Sequence, residues 1–245
     1  MKRNAGCRRW NLVRNLAVVF LWITGLAGHV QAQEADKTHT FQASVLFGKS
    51  SVRAGQELES AMTAAGFADN TYGWSSGNVP FTSEGSPNTF MAHYRVRSRF
   101  SAGVIVASTG ESETIGWHDL AQSLHVDHGA RSIAVTASAK FKVLRLEFGP
   151  AWNQTRILHS GSAAIPGNSS SWNKENKLGF IAGATLTLPV VSIICLDAGL
   201  QYRYIGSSVA GPYTPAAWAG TQATFPATNI NFSHWFFGFG PSIRF

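Results

Sequence analysis

Hydrophobic and polar residues alternate with a period of two along several stretches of this chain, most clearly over residues 230–245. Counted back from the end, six alternate positions are apolar, and four of these six residues are aromatic. The residues between them are mostly small or polar. The pattern predicts a β-strand with one apolar face and one mixed face. Such a row of aromatic side chains would promote aggregation in water, whereas it suits a strand whose outer face contacts lipid.

Seven further segments are predicted to be strands, six with the same alternation and one, residues 102–108, with an ambiguous register, and the lengths of their connections predict how the strands are arranged. With the last one included, the predicted strands cover residues 40–49, 89–100, 102–108, 131–141, 144–153, 177–188, 194–205 and 230–245. Long connections alternate with short ones: the long ones centre near residues 70, 120, 165 and 218, and the short ones near 101, 142 and 191. This alternation is typical of an up-and-down barrel in a membrane. We therefore expect an all-β fold, an eight-stranded antiparallel up-and-down transmembrane β-barrel with long external loops.

The long connections lose the alternation and are predicted to be loops. Residues 109–130 are polar and loop-like, residues 155–176 form a loop rich in Ser, Gly and Asn, and residues 206–229 are also predicted to be a loop. The first one differs, because apolar residues recur at helical spacing from Leu58 to Ala65 and Gly66 follows where a helix end favours glycine. A short helix is therefore predicted within residues 55–66.

Aromatic residues with outward-facing parity lie near both ends of the predicted strands. Near the outer ends these residues are Phe90, Trp152, Tyr204 and Trp235, and near the inner ends they are Phe100, Phe141 and Phe245. Phe90 and Phe100 are ten residues apart, as are Trp235 and Phe245. Ten residues climb roughly 25 Å at a strand tilt of about 40°, which is the height of the apolar band in an outer-membrane barrel. We therefore predict two aromatic girdles.

The first 32 residues have the composition of a secretory signal peptide. A basic start precedes an apolar run at residues 16–27, and Val30-Gln31-Ala32 offers the small residues of a cleavage site. The barrel domain is expected to cover residues 33–245. The formal net charge is +7, and five Lys/Arg with no Asp/Glu lie within residues 1–32, which leaves +2 for the remainder. A nucleic-acid partner is therefore not expected.

The strand number, the alternating connections and the aromatic end of the chain carry a resemblance. From about Thr40 to Phe245, the sequence resembles the small eight-stranded outer-membrane barrels, namely the OmpA transmembrane domain and the OmpX/Ail kind. The resemblance implies a location in the bacterial outer membrane, contact with membrane lipid and lipopolysaccharide, and insertion by the barrel-assembly machinery. It also implies that Phe245, Ile243 and Phe239 form the assembly signal, because those barrels end on a Phe preceded by alternating apolar residues.

Charged residues with inward parity are candidates for a network inside the barrel. The six central ones are Arg95, Arg97, Arg145, Glu147, Asp197 and Arg203. Buried charges must pair or be hydrated, so we expect Arg95 and Arg97 to pair with Glu147, and Arg145 and Arg203 to pair with Asp197. Because the lumen of an eight-stranded barrel is filled by side chains, this network predicts a structural plug. The excess of cations leaves a narrow anion path as the alternative.

Two further groups of residues could carry chemistry, and neither forms a pattern with a known mechanism. The second long connection contains His118, Asp119, His125, Asp127 and His128, whose spacing matches no established metal site. The adjacent pairs His159-Ser160 and Ser233-His234 lie near outer strand ends, but neighbours in a strand point to opposite faces. We therefore expect no metal, no cofactor and no catalysis.

The expected function is non-catalytic. The chain is predicted to act at the cell surface, in adhesion or another interaction with an extracellular ligand or in envelope integrity, through four external loops. A narrow anion-permeable pore and an outer-membrane lipid-modifying enzyme are the alternatives.

Overall fold

A computed structural model describes residues 41–68, 80–118, 122–162, 165–168 and 170–245, and the predicted signal peptide lies outside these ranges. Eight antiparallel strands close into a ring. They are β1 (Phe41–Ser50), β3 (Asn88–Arg97), β4 (Phe100–His118), β5 (Gln122–Phe141), β6 (Leu144–Gly161), β7 (Ser171–Pro189), β8 (Ile194–Tyr204) and β11 (His234–Arg244). Each strand pairs with its neighbour in sequence, and β1 closes the ring by pairing with both β3 and β11. The predicted eight-stranded antiparallel up-and-down barrel is confirmed.

Tight turns join the strands at one end of the barrel, the short-turn end, where both ends of the ring also meet. The turns fall between β3 and β4, β5 and β6, and β7 and β8. Phe41 and Phe245 exchange two backbone hydrogen bonds at this end, with N···O distances of 2.9 and 3.2 Å. The opposite end carries the long connections and is called the long-loop end below. None of the helices within the described residues has the length and hydropathy to cross a membrane.

The strands β4 to β7 extend far beyond the predicted strand ends. Each is 18–20 residues long. At ~3.3 Å per residue and a tilt of about 40°, twenty residues climb roughly 50 Å, about twice the apolar band of an outer-membrane barrel. The prediction of irregular loops at 109–130 and 155–176 is therefore wrong for most of both segments. The β4–β5 ladder continues through Glu113↔Asp127 to His118↔Gln122.

The extensions escaped prediction because the polarity of the two strand faces inverts along β5. Between Ile133 and Phe141 the outward residues are apolar and exposed, whereas inward residues such as Thr136 are polar. Between Leu124 and Ala130 the inward residues are mostly apolar and buried, and the outward ones are polar. Arg131 marks the change. Polar Gln154 of β6 lies opposite Arg131, and Asn176 of β7 lies opposite Gln154, so this row continues across three strands.

Smaller elements complete the long-loop end. The helix α1 (Ala54–Ala64) confirms the predicted helix, and Gly66 follows it with a positive φ of 87°. The short strand β2 (Phe81–Ser83) was not predicted, and it pairs with the outer part of β4. Two further strands, β9 (Ser207–Ala210) and β10 (Thr228–Asn231), pair within the segment expected to be a loop.

Two predicted strand boundaries are wrong. The stretch 230–245 is not one strand, because β10 ends at Asn231 and β11 begins at His234. Between them, the hydroxyl of Ser233 accepts hydrogen bonds from the backbone N–H groups of Ile205 and Gly206 at 3.1 and 3.0 Å. Phe100 begins β4 instead of ending β3, since β3 ends at Arg97 and Arg97 pairs directly with Phe100. The ten residues from Phe90 to Phe100 therefore do not run along one strand.

Two separate apolar clusters fill the molecule. The lumen cluster lies inside the barrel and consists of Leu46, Met91, Ile105, Ala107, Ala134, Ala151, Ile181 and Phe236. The outer core lies at the long-loop end, where Leu58 and Met62 of α1 pack with residues of β5, β6 and the last long connection, among them Val126, Ile157 and Phe225. These side chains are 0–1% exposed. The outer core therefore gives the long-loop end a hydrophobic centre of its own.

Candidate functional site

A charged network fills the barrel interior near the short-turn end, with Arg145 at its centre. Arg145 of β6 lies 3.8 Å from a carboxylate oxygen of Glu147 and 3.8 Å from one of Asp197. Asp197 also accepts hydrogen bonds from the Gln42 amide at 3.1 Å and the Ser242 hydroxyl at 3.0 Å. All three charged residues are at most 4% exposed. One buried cation thus lies between two buried carboxylates, which is the pairing that buried charges require.

The network continues toward the barrel centre through Gln201 and Arg203 of β8. The Gln201 amide donates a hydrogen bond to Glu147 at 2.8 Å and accepts one from Arg203 at 2.9 Å. Arg203 also donates to the hydroxyl of Thr89, and its guanidinium lies 4.2 Å from the centre of the Phe236 ring. Arg203 is thus held by hydrogen bonds and a cation–π contact rather than by the predicted partner Asp197.

The two arginines of β3 are placed differently from the prediction. Arg97 is exposed, because it is the last residue of β3 and lies where the lumen opens at the short-turn end. Arg95 is partly exposed on the same strand. Glu147 contacts Arg145 and His93 instead, with His93 Nε2 at 3.6 Å. His93 shares the inward parity of the arginines, so its position on β3 was the signal that sequence reasoning underused.

The aromatic residues assigned to the girdles all have exposed side chains on the outside of the barrel. The exposed fraction lies between 45% and 63% for Phe90, Trp152, Tyr204, Trp235, Phe100, Phe141 and Phe245. Three of them contact other outward aromatic residues: Tyr204 stacks on Phe180 at 5.3 Å, Trp235 lies 5.1 Å from Tyr202, and Phe245 lies 6.0 Å from Phe41. In the proposed assembly signal, Phe239 and Ile243 are also exposed and outward.

The histidines of the second long connection lie on two faces of the β4–β5 extension. His125 and Asp127 have outward parity, and His125 Nδ1 lies 3.0 Å from Glu113. His128 points inward, and its Nε2 lies 3.4 Å from the Thr114 hydroxyl. Burial lowers the pKa of His128 to about 4, so its imidazole is neutral at physiological pH. Asp119 lies outside the described residues, and within them no three His, Cys, Asp or Glu side chains converge on a possible ion position.

The adjacent serine–histidine pairs have other contacts. His159 Nε2 accepts a hydrogen bond from the Gly211 N–H at 2.9 Å, and its ring stacks on Tyr213 at 5.7 Å. Burial also lowers the pKa of His159. His234 Nδ1 lies 2.9 Å from the carbonyl of Phe232, while the Ser233 hydroxyl accepts the two backbone hydrogen bonds described above. Neither pair forms the serine–histidine hydrogen bond that would activate a nucleophile.

Side chains tie the long connections to the barrel extensions. The Gln122 amide, at the start of β5, donates to the Ala223 carbonyl at 2.9 Å and accepts from the Ala223 N–H at 2.8 Å. The Ala216 N–H donates to Asn168 at 2.5 Å, and the Asn231 N–H donates to Glu57 of α1 at 2.6 Å. Together with the outer core, these hydrogen bonds hold the long-loop end in one arrangement.

A cavity of about 380 Å³ opens at the long-loop end. It lies between α1, the outer end of β1, the segment from β2 to β3 and the outer half of β4. Its floor contains the buried side chains of His128 and Phe232, and its rim carries the exposed Gln56 and Glu84. Sequence reasoning missed this cavity, because its walls come from five separate parts of the chain.

Comparison with solved structures identifies the class of protein that this fold defines. The outer membrane protein OprG of Pseudomonas aeruginosa aligns with 84% of this chain and 96% of its own, at 10% sequence identity and a TM-score of 0.50. This likeness establishes the fold, that of a small outer-membrane β-barrel. The sequence matches no protein-family model and no curated protein.

Two further structures align with lower scores. Ail, the attachment invasion locus protein of Yersinia pestis, was solved in complex with the heparin analogue sucrose octasulfate. It is 9% identical over 84% of this chain and 99% of its own, with a TM-score of 0.46. The outer membrane protein AlkL is 18% identical over 84% of this chain and 90% of its own, with a TM-score of 0.44.

Proposed function

We propose that this chain is a non-catalytic protein of the bacterial outer membrane that acts at the cell surface through its long-loop end. Adhesion or another contact with an extracellular ligand is one form of this role, and support of envelope integrity is the other. The observation that carries the proposal is the outer core. A barrel that only spanned the membrane would not need a second hydrophobic cluster, with Leu58, Val126 and Phe225 fully buried, beyond the apolar band.

The filled lumen supports a role that does not depend on conduction. The lumen cluster and the network around Arg145 occupy successive parts of the interior. A continuous water path would have to displace Phe236 or break the contacts of Arg203, and both side chains are at most 1% exposed. An eight-stranded barrel has just enough interior for such a filling.

Basic residues in and beside the polar row support contact with lipopolysaccharide and lipid headgroups. Arg131 belongs to the row itself, and Arg156 of β6 and Lys174 of β7 lie one outward position beyond it. The Arg156 guanidinium lies 4.8 Å from the centre of the Trp172 ring, and the Lys174 ammonium lies 5.9 Å from it. Basic side chains at headgroup level bind anionic lipids.

The remaining parts of the proposal concern delivery and ligand. Removal of a signal peptide near Ala32 and recognition of Phe245, Ile243 and Phe239 by the barrel-assembly machinery would place the chain in the outer membrane. The ligand is proposed to be extracellular and to bind at the long-loop end.

Attachment and conductance together test the proposal. The variant Phe225→Asp places a charge in the outer core and leaves the barrel strands unchanged, so surface levels should persist while attachment to immobilised matrix or host cells, or resistance to detergents, is lost. The purified wild-type protein should show no steady open state in planar bilayers. Unchanged attachment and detergent resistance in the variant, or a steady conductance of the wild type, would contradict the proposed function.

A further inference from the structure

The floor of the cavity at the long-loop end includes a buried imidazole. His128 is only 5% exposed and lines the cavity together with Phe232. Its Nε2 is engaged by Thr114, which is linked to Thr82 by a hydroxyl hydrogen bond of 2.7 Å.

The cavity walls are held in place by close backbone packing. Gly85 and Gly110 approach so closely that a Cβ on Gly85 would lie 2.5 Å from the Glu111 carbonyl oxygen. The Gly85 N–H donates a hydrogen bond to the Ser112 hydroxyl at 2.9 Å. On the other side, Gly55 brings α1 against Thr82, where a Cβ would lie 2.7 Å from a methyl carbon. The cavity is thus formed before any ligand arrives, which lowers the cost of binding.

The chemistry of the lining is mixed and carries little charge. It contains both donors and acceptors: the amide of Gln56, the carboxylates of Glu59 and Glu84, the ammonium of Lys49 and several hydroxyls. Val52, Pro87 and the Phe232 ring supply apolar surface beside them. One lysine and two glutamates do not suit a sulfated or phosphorylated ligand. Vicinal hydroxyls, which both donate and accept, suit paired carboxylate and amide groups.

We propose that this cavity binds a neutral saccharide unit of one or two rings, with Glu59, Glu84 and Gln56 bonding its hydroxyls and His128 completing the contact at the floor. The volume of about 380 Å³ lies within the range of small-ligand sites. The inference rests on the proposed function in one respect, since the saccharide would be the surface ligand. The two proposals are tested by different measurements: saccharide binding is measured on the purified protein, and attachment is measured on cells.

Ligand-observed NMR and calorimetry on the full mature protein in detergent micelles test the proposal. The probes are glucose, galactose, N-acetylglucosamine and lactose, the oligosaccharide released from lipopolysaccharide of the host bacterium, and sucrose octasulfate as the sulfated comparison. At least one neutral probe should bind. Binding by lactose but not by the released oligosaccharide would assign an external glycan, and the reverse would assign a lipopolysaccharide sugar.

Three variants separate the cavity from the rest of the surface. Ser50→Trp places an indole in the cavity, since Ser50 lines it, and should abolish binding. Glu59→Gln combined with Glu84→Gln should weaken binding about tenfold or more, because hydrogen bonds to charged groups are lost. Glu113→Gln changes the same charge on the outward face beside His125 and should leave binding unchanged.

Heat-modifiable migration on gels verifies that each variant is folded. The proposal is overturned if no neutral probe binds, if only sucrose octasulfate binds, or if Ser50→Trp binds as well as wild type. Saccharide binding by a protein that supports neither cell attachment nor detergent resistance would contradict the proposed function and leave this inference standing. Attachment without saccharide binding would overturn this inference and leave the proposed function standing.

Discussion

The barrel interior and the long-loop end are built from the same strands, yet they are stabilised by opposite chemistry. Inside the barrel, Arg145, Glu147 and Asp197 are buried in a paired network, while the outside is apolar. At the long-loop end, the inside is apolar around Val126 and Phe225, while the outside is polar. The two regions differ because lipid surrounds one and water surrounds the other. In lipid the apolar face of a strand must point outward, and in water it must point inward.

The boundary between lipid and water lies where the polarity of the strand faces changes. Along β5 the polarity of both faces changes at Arg131, and the outward residues Gln154 and Asn176 continue the same row on β6 and β7. Trp152 lies one outward position closer to the short-turn end than Gln154. The polar row of Arg131, Gln154 and Asn176 therefore marks where the barrel leaves the lipid.

The largest expected effect is on the interior network. Arg145→Met would leave Glu147 and Asp197 buried without their shared cation, at a cost of about 3–5 kcal/mol in the free energy of unfolding. Urea unfolding in lipid vesicles, followed by tryptophan fluorescence, measures it. Arg156→Met is the matched control, because Arg156 pairs with the exposed Glu111 at 3.0 Å and should cost less than about 1 kcal/mol. Equal losses in the two variants would contradict the buried network.

The next effect is on the outer core. Leu58→Ala would leave a cavity under α1 at a cost of about 2–5 kcal/mol, and the loss should remain local to the long-loop end. Limited proteolysis should cut the variant there while the barrel keeps its heat-modifiable migration. Ser60→Ala, on the exposed side of the same helix, is the control. A barrel that unfolds together with the helix would show that the two regions are one cooperative unit.

A charge on the lipid-facing side tests the boundary directly. Val135 is outward and exposed near the middle of the apolar band, so Val135→Lys should cost about 2–4 kcal/mol of barrel stability and reduce insertion. Leu158→Lys makes the same change at an outward position beyond the polar row and should cost less than about 1 kcal/mol. The amount of folded protein in vesicles measures both. A similar cost at the two positions would place the boundary elsewhere.

The end of the chain should affect assembly more than stability. Ile243→Asp, or removal of Phe245, should lower the amount of protein inserted in cells, while refolding of the purified protein into micelles changes less. Surface labelling of intact cells measures insertion. Ser242 has inward parity and donates to Asp197, so Ser242→Ala is a control that perturbs the interior without touching the proposed signal. Normal surface levels of Ile243→Asp would contradict that signal.

The smallest effect concerns Asp127 on the outward face of the extension. Burial and the neighbouring Glu113 raise its pKa, so the charged form is disfavoured in the folded protein. The raised pKa means that stability is fully present below the unfolded pKa of Asp127 and declines as the pH rises through its folded pKa. Asp127→Asn should therefore raise the free energy of unfolding at pH 7 by less than about 1 kcal/mol, seen as a slightly higher melting temperature, and should have no such effect at pH 3. A lower melting temperature at pH 7 would contradict it.

The lipid-facing half of the barrel was predicted more accurately than the long-loop end. Strand alternation in the lipid-facing half was predicted correctly, because exposed residues such as Phe148 and Phe239 have no other place in a barrel. The extensions were mistaken for loops, because Asp127 and Arg156 are polar where the earlier pattern was apolar. Residues 124–130 of β5 keep the period of two, but the apolar residues now lie on the inward face.

The candidate sites depended on partners far apart in sequence. Arg145 was expected to lie inside, and its contact with Asp197 follows from inward parity and proximity. The separation of Arg203 from Asp197, and the replacement of Arg97 by His93 beside Glu147, depend on the stagger between strands. The cavity could not be predicted from local patterns in the sequence. Gly55 packs against Thr82, and Gly85 packs against Gly110, only in the folded chain.

The sequence by itself determined the number of barrel strands, their antiparallel order and the outward face of the barrel, because a period of two is a local property of the chain. The tertiary structure decided where that face meets lipid or water, which buried charges pair, and how α1 and the long connections enclose a cavity around His128. These features depend on whether each strand face meets lipid or water and on the register between distant strands. No single stretch of residues determines either of them.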